Sequence, residues 1–170
     1  MRLDLESVPV GEAAPEVVNV VVEVPVGSRN KYEYQPEFGL ISRDRVLSGG
    51  VRCPTDYGFI LSTVTDDGEP LDVMVAAYDP VFPGCVLRVR PVGVLDATDG
   101  SGADRTILAV PDDDPRFADI RELDDLSGEN LREIEQFYVT YKQLEGDEEA
   151  EIHGWLSKQE AQEIIHESAS

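Results

Sequence analysis

Residues 85–95 read Cys85-Val86-Leu87-Arg88-Val89-Arg90-Pro91-Val92-Gly93-Val94-Leu95. Alternation with a period of two sends successive side chains to opposite faces, so this stretch predicts a long strand, with Cys85 a small buried hydrophobe inside it. Pro91 cannot donate to a ladder and Gly93 weakens one, so the pair marks a bend or bulge. Similar shorter runs lie on both sides: 17–24 (VVNVVVEV, interrupted by Glu23), 31–34 (KYEY), 57–61 (YGFIL), 71–77 (LDVMVAA) and 106–110 (TILAV). Short strands recurring between turn signals favour a barrel or sandwich.

The last third changes period. Between Ser127 and Leu144, Leu131, Ile134, Tyr138 and Tyr141 recur at spacings of three and four, the mark of one helix face. Ser127 suits the N-cap, Glu129 the first turn and Gly146 the stop. A shorter helix is expected from about 158 to 165. Residues 1–15 are proline-dotted and read as a loosely held arm. With no internal repeat and no linker, the chain reads as a single domain, 1–170, mainly β with flanking helices (α+β): a closed β-core with two C-terminal helices packed outside.

The chain carries 35 acidic and 14 basic residues, a net charge of −21, over 170 residues that are 41% hydrophobic. Such a surface repels nucleic acid and anionic membranes, and an anionic ligand would require its few basic residues to be concentrated at the site, with cations helping. No apolar run of roughly 18 residues predicts a membrane span. Residues 1–6 lack a basic and apolar leader pattern, so no signal peptide is expected. Two distant cysteines, Cys53 and Cys85, form no CxxC pair, and a reducing cytoplasm is the default compartment.

Chemistry concentrates in two acidic clusters. Asp67-Gly68-Glu69-Pro70-Leu71-Asp72 is a turn feeding an apolar strand; Asp96, Asp99 and Asp104 follow the long strand, with Gly100 and Gly102 making a flexible loop between the last two. All-oxygen ligands on strand edges suit hard cations, and two such clusters converging on shared cations would let those cations polarise phosphoryl oxygens. The alternative is two unrelated solvated loops in an acidic protein. Lys31, Arg45, Lys142, Tyr57 and Tyr141 are the side-chain types that hold phosphate oxygens, although each taken singly also fits a snorkelling or core residue. His153 and His166, both near the C-terminus, read as surface residues, which argues against a Ser-His-Asp or His-rich zinc site. Neither a P-loop nor a GxGxxG turn is present.

An ordered series of motifs resembles the family I soluble inorganic pyrophosphatases from about Val17 to Ile165. It comprises Val22-Glu23-Val24-Pro25, Asn30-Lys31-Tyr32-Glu33, Asp44-Arg45, Pro54-Thr55-Asp56-Tyr57-Gly58-Phe59, the 67–72 turn, Phe82-Pro83-Gly84, Arg90-Pro91-Val92-Gly93, Asp99 with Asp104, Tyr141-Lys142 and Gly154-Trp155. The resemblance implies an OB-like five-stranded closed barrel and hydrolysis of pyrophosphate to two orthophosphates with several Mg²⁺ ions, Mn²⁺ being the expected substitute. It implies metal ligands at Asp67, Asp72, Asp99 and Asp104, and outer-shell carboxylates at Glu23 and Glu33. Lys31, Arg45, Tyr57, Tyr141 and Lys142 would hold phosphate groups, Tyr57 and Arg45 also aiding catalysis, and Glu69 would be the base. A homo-oligomer is implied, a hexamer being favoured, with no nucleic-acid or membrane partner.

Three positions depart from the family pattern. Glu69 stands where aspartate is usual, Thr106 where a lysine is usual, and Cys53 where tyrosine is frequent. Arg105 cannot replace the missing lysine, because neighbouring strand residues face opposite ways. These departures motivate a rival reading, an impaired homologue that binds Mg²⁺ and a phosphorylated ligand in a regulatory or scaffolding role. A nucleic-acid-binding OB barrel is opposed by the charge.

Overall fold

The structure, a computed structural model, describes residues 1–169; Ser170, the last residue of the expected domain, lies outside them. Its strands are β1 (Val18–Val24), β2 (Asn30–Gln35), β3 (Leu40–Val46), β4 (Asp56–Ile60), β5 (Asp72–Val75), β6 (Val86–Asp99), β7 (Gly102–Pro111) and β8 (Glu151–Leu156). Its α-helices are α1 (Gly128–Leu144) and α2 (Lys158–Ser168), and single 3-10 turns lie at Leu5–Ser7, Pro115–Phe117 and Leu123–Asp125.

The predicted long strand closes the fold. β6 runs four residues beyond Leu95 and pairs with β1, β7 and β8. The strand order β1-β4-β5-β7-β6 returns to β1 through the β1–β6 pairing, making a five-stranded closed barrel with β8 appended. The expected irregularity is a register shift between Pro91 and Gly93, which lets one strand bend from one neighbour to the next. Gly58 makes another junction possible: a Cβ there would sit 1.8 Å from the Val21 carbonyl oxygen, so only glycine admits β4 this close to β1.

Alternating side chains divide the core. Val20, Ile60, Val73, Val94, Ile107 and Ala109 fill the barrel interior, and α2 adds Ala161 and Ile165 to the same cluster. On the outer face, Met74, Leu95 and Leu108 pack with Phe117 and with Ile134 of α1. A third cluster joins Leu5 to Val21 and Leu61.

Several expectations change. Residues 1–15 are not loosely held: Leu5 is buried, and the Leu3 N–H donates to the Gly39 carbonyl at 2.7 Å. The 99–104 segment is a tight hairpin, with Asp99 pairing Gly102 across the turn, rather than a flexible loop. Cys85 is only partly buried and precedes β6, whereas Cys53 is buried. The second helix runs three residues past Ile165. Strands β3 and β8 were not anticipated.

Candidate active site

A cleft of about 1390 Å³ opens between the 67–72 turn, the β2–β3 hairpin, the β6–β7 turn and one side of α1. β4 and β5 supply its floor. Tyr57 of β4 pairs with Met74 and Phe59 with Asp72, which sets the Tyr57 phenol near the start of β5. The phenol donates to the Asp72 carboxylate. Burial raises the Asp72 carboxyl to about 6; the Tyr57 bond opposes this, and the charges of Asp104 and Asp67 add to it. Burial, followed by the charges of Asp72 and Asp104, pushes the Tyr57 phenol well above its ordinary value.

The 67–72 turn is shaped by its own polar atoms. Gly68 has φ 84°, a left-handed conformation suited to glycine. Asp67 accepts from the Thr65 hydroxyl and, at 3.0 Å, from the Glu69 N–H. These bonds hold the Asp67 carboxyl below its usual range. The Glu69 carbonyl accepts from the Thr65 N–H at 2.8 Å, and the Glu69 side chain is exposed at the cleft edge.

Asp99 ends β6 and Asp104 lies on β7. Lys142 of α1 reaches both, its Nζ 3.0 Å from Asp99 Oδ2 and 3.3 Å from Asp104 Oδ2. The Tyr138 hydroxyl donates to Asp104 at 2.8 Å, and the Ser101 N–H to Asp99 at 2.8 Å. Burial raises the Asp99 carboxyl, but the Lys142 and Ser101 bonds together outweigh it and hold it below its usual range. Among the described residues, no three Asp, Glu, His or Cys side chains close around a point as a ready-made ion cage. Three aspartates nonetheless reach the cleft from three adjacent strands, with one ammonium between two of them.

Glu23 enters from β1, where the register shifts between Val22 and Val24. Its carboxylate accepts from the Tyr34 N–H at 2.8 Å, tying the hairpin to the barrel. Burial lifts the Glu23 carboxyl to about 7, with the Tyr34 bond opposing and Asp72 and Glu33 adding. Glu33 stays exposed on the rim. Lys31 and Tyr141 line the cleft, while Arg45 stands just outside it, its Nη2 3.4 Å from the Tyr141 hydroxyl.

The sequence-predicted residues therefore meet around one cleft, with Arg45, Glu33 and Glu69 at its edge. Tyr138, Asp44 and Glu145 also contact these side chains, and the sequence reading gives them no role. Helical spacing was the available signal for two of them: Tyr138 lies one turn before Lys142, and Glu145 one turn after Tyr141. Arg105 is engaged by Asp96 at 2.9 Å, and Thr106 is buried in β7, as strand alternation requires. His153 and His166 are exposed, His153 meeting the Thr98 hydroxyl at 3.0 Å.

The family model for inorganic pyrophosphatase matches residues 20–170. The chain is similar to inorganic pyrophosphatases from Nostoc sp. and Haloferax volcanii. The first is 42% identical over 98% of this chain and 97% of its own; the second is 44% identical over 94% and 90%. The crystal structure of inorganic pyrophosphatase from Thermus thermophilus matches with a TM-score of 0.91 at 44% identity, covering 95% of this chain and 94% of that one. Barrel, cleft and sequence agree: the chain belongs to the inorganic pyrophosphatase family.

Proposed function

We propose that this cleft is where the chain hydrolyses pyrophosphate to two orthophosphates, with Asp67, Asp72, Asp99 and Asp104 holding several Mg²⁺ ions. The observation that carries the reading is the approach of Asp72, Asp99 and Asp104 from three strands toward Tyr57 and Lys142. The donor set fits hard divalent cations: it is all oxygen, and the Asp72 carboxyl, raised chiefly by burial and further by the charges of Asp104 and Asp67, is one whose ionised form a cation would stabilise. When bound, such ions polarise phosphoryl oxygens and make a water more acidic. Mn²⁺ satisfies the same oxygen ligands.

The chain's own residues do the rest. Glu69 accepts a proton from the attacking water, whose oxygen bonds to one phosphorus as the bridging P–O bond breaks. Lys31, Arg45 and Lys142 offset charge on the two phosphates, the Tyr57 and Tyr141 hydroxyls fix their orientation, and Glu23 and Glu33 orient water around the ions. Glu69 brings one more methylene than aspartate, so its carboxylate must be placed by the Thr65–Asp67 turn. No observation favours the impaired reading. Two free cysteines accord with a reducing cytoplasm. Exposed Phe82 and Val86 offer apolar surface for a homo-oligomer, the hexamer of the family resemblance.

Purified chain incubated with pyrophosphate and millimolar Mg²⁺ should release phosphate, and chelation should stop the release. Failure to exceed a matched Asp72→Asn control would overturn the reading.

A further inference from the structure

Lys31 and Arg45 are direct cross-strand partners on the β2–β3 hairpin, an unfavourable pairing of like charges. The hairpin is a two-stranded sheet of its own, and most of β3 is exposed. Three groups settle the two cations. The Tyr141 ring lies 5.6 Å from Lys31 Nζ and 5.9 Å from Arg45 Cζ. Asp44 Oδ2 lies 3.9 Å from Lys31 Nζ and 3.4 Å from Arg45 Nε. Glu145, the C-cap residue of α1, contacts Arg45 Nη2 directly and accepts a hydrogen bond from the Tyr141 hydroxyl.

Glu145 thus touches two groups assigned to phosphate, one on the hairpin and one on the helix. The Arg45 side chain is 43% exposed and that of Glu145 22%. A long arginine on an exposed strand has many solvent-facing rotamers, and a fixed carboxylate removes them before the ligand arrives. We infer that Glu145 is a positioning residue for pyrophosphate binding: it aims Arg45 and Tyr141 at the cleft and fastens the β2–β3 hairpin to the end of α1. The inference rests on the reading that Arg45 and Tyr141 hold phosphate.

Steady-state hydrolysis at saturating Mg²⁺, compared across Glu145→Ala, Glu145→Gln, Arg45→Ala and the Arg45→Ala/Glu145→Ala pair, tests it. Glu145→Ala should raise KM roughly two- to fivefold, the range open to an exposed ion pair, and by more than it lowers kcat. Glu145→Gln keeps an acceptor for both donors and should recover part of the KM. In the Arg45→Ala background, Glu145→Ala should have a smaller effect than in the wild type. Thermal unfolding of each variant separates a shift in KM from loss of fold. An unchanged KM overturns the inference, as does a lowered one, which would make Glu145 a competitor of the substrate for Arg45. Full additivity in the paired variant overturns it as well. If Arg45→Ala itself leaves KM unchanged, the phosphate-holding assignment fails and takes this inference with it.

Discussion

Lys142 Nζ lies 3.0 Å from Asp99 Oδ2, joining the last turn of α1 to the end of β6. Both side chains are mostly shielded, at 16% and 15% exposure. The ammonium therefore relieves the repulsion between Asp99 and its neighbour Asp104.

Replacing Lys142 by methionine keeps the stem and leaves that repulsion uncompensated. We expect a loss of about 1–2 kcal/mol without divalent metal, a fall in Tm of roughly 2–8 °C. Millimolar Mg²⁺ should raise the Tm of the variant more than that of the wild type, because the cation offsets the same repulsion. Scanning fluorimetry with and without chelator measures both, and an equal Mg²⁺ response in the two proteins would contradict the account.

Tyr57→Phe removes the donor to the buried Asp72 carboxylate. That bond favours the ionised form, so the Asp72 carboxyl should rise further above about 6. The acid limb of the hydrolysis profile should move to higher pH, and kcat/KM should fall by about tenfold, as for loss of a bond to a charged group. A pH–rate profile on folded variant decides; an unmoved acid limb would refute the coupling.

Asp56 is 1% exposed, and its carboxylate accepts the Val26 N–H at 2.9 Å. Burial raises its carboxyl from 3.8 to about 6, the Val26 bond opposing. Because the folded value is raised, Asp56 contributes stability that is fully present below 3.8 and lost as pH rises through about 6. The full loss is on the order of 3 kcal/mol. Asp56→Asn keeps an oxygen for Val26 and does not ionise. Its Tm should therefore gain on the wild type between pH 4 and pH 7. Parallel Tm–pH curves would count against this.

Gly58→Ala drives a Cβ toward the Val21 carbonyl. Backbone cannot yield there without parting β1 from β4, so the variant should lose about 3 kcal/mol or more. Chemical unfolding measures it, and a loss below about 1 kcal/mol would show that the two strands can separate cheaply.

Strands that alternate cleanly were legible from sequence; those outside that pattern were not. β3 reads Leu40-Ile41-Ser42-Arg43-Asp44-Arg45-Val46 and is mostly exposed, because it pairs only with β2 and buries no continuous apolar face. β8 is interrupted by a register shift opposite Asp96 and Ala97, with Gly154 at φ 135°. Ile152 and Trp155 therefore serve the outer cluster while Leu156 meets the interior one, and a strict period of two is lost.

Sequence by itself determined the inventory: the long bent strand, the amphipathic α1, the turn at 67–72, and the carboxylates and cations available for chemistry. These follow from local rules, because alternation, helical spacing, glycine and proline act over a few residues. Only the tertiary structure decided which of these groups meet. Barrel closure through β1–β6 and the packing of α1 on β6–β7 bring Lys142 to Asp99, 43 residues away, and Arg45 to Glu145. Those ion pairs depend on distances across the fold, which no local periodicity encodes. The burial that raises Asp72 and Glu23 likewise exists only once the walls of the cleft have assembled.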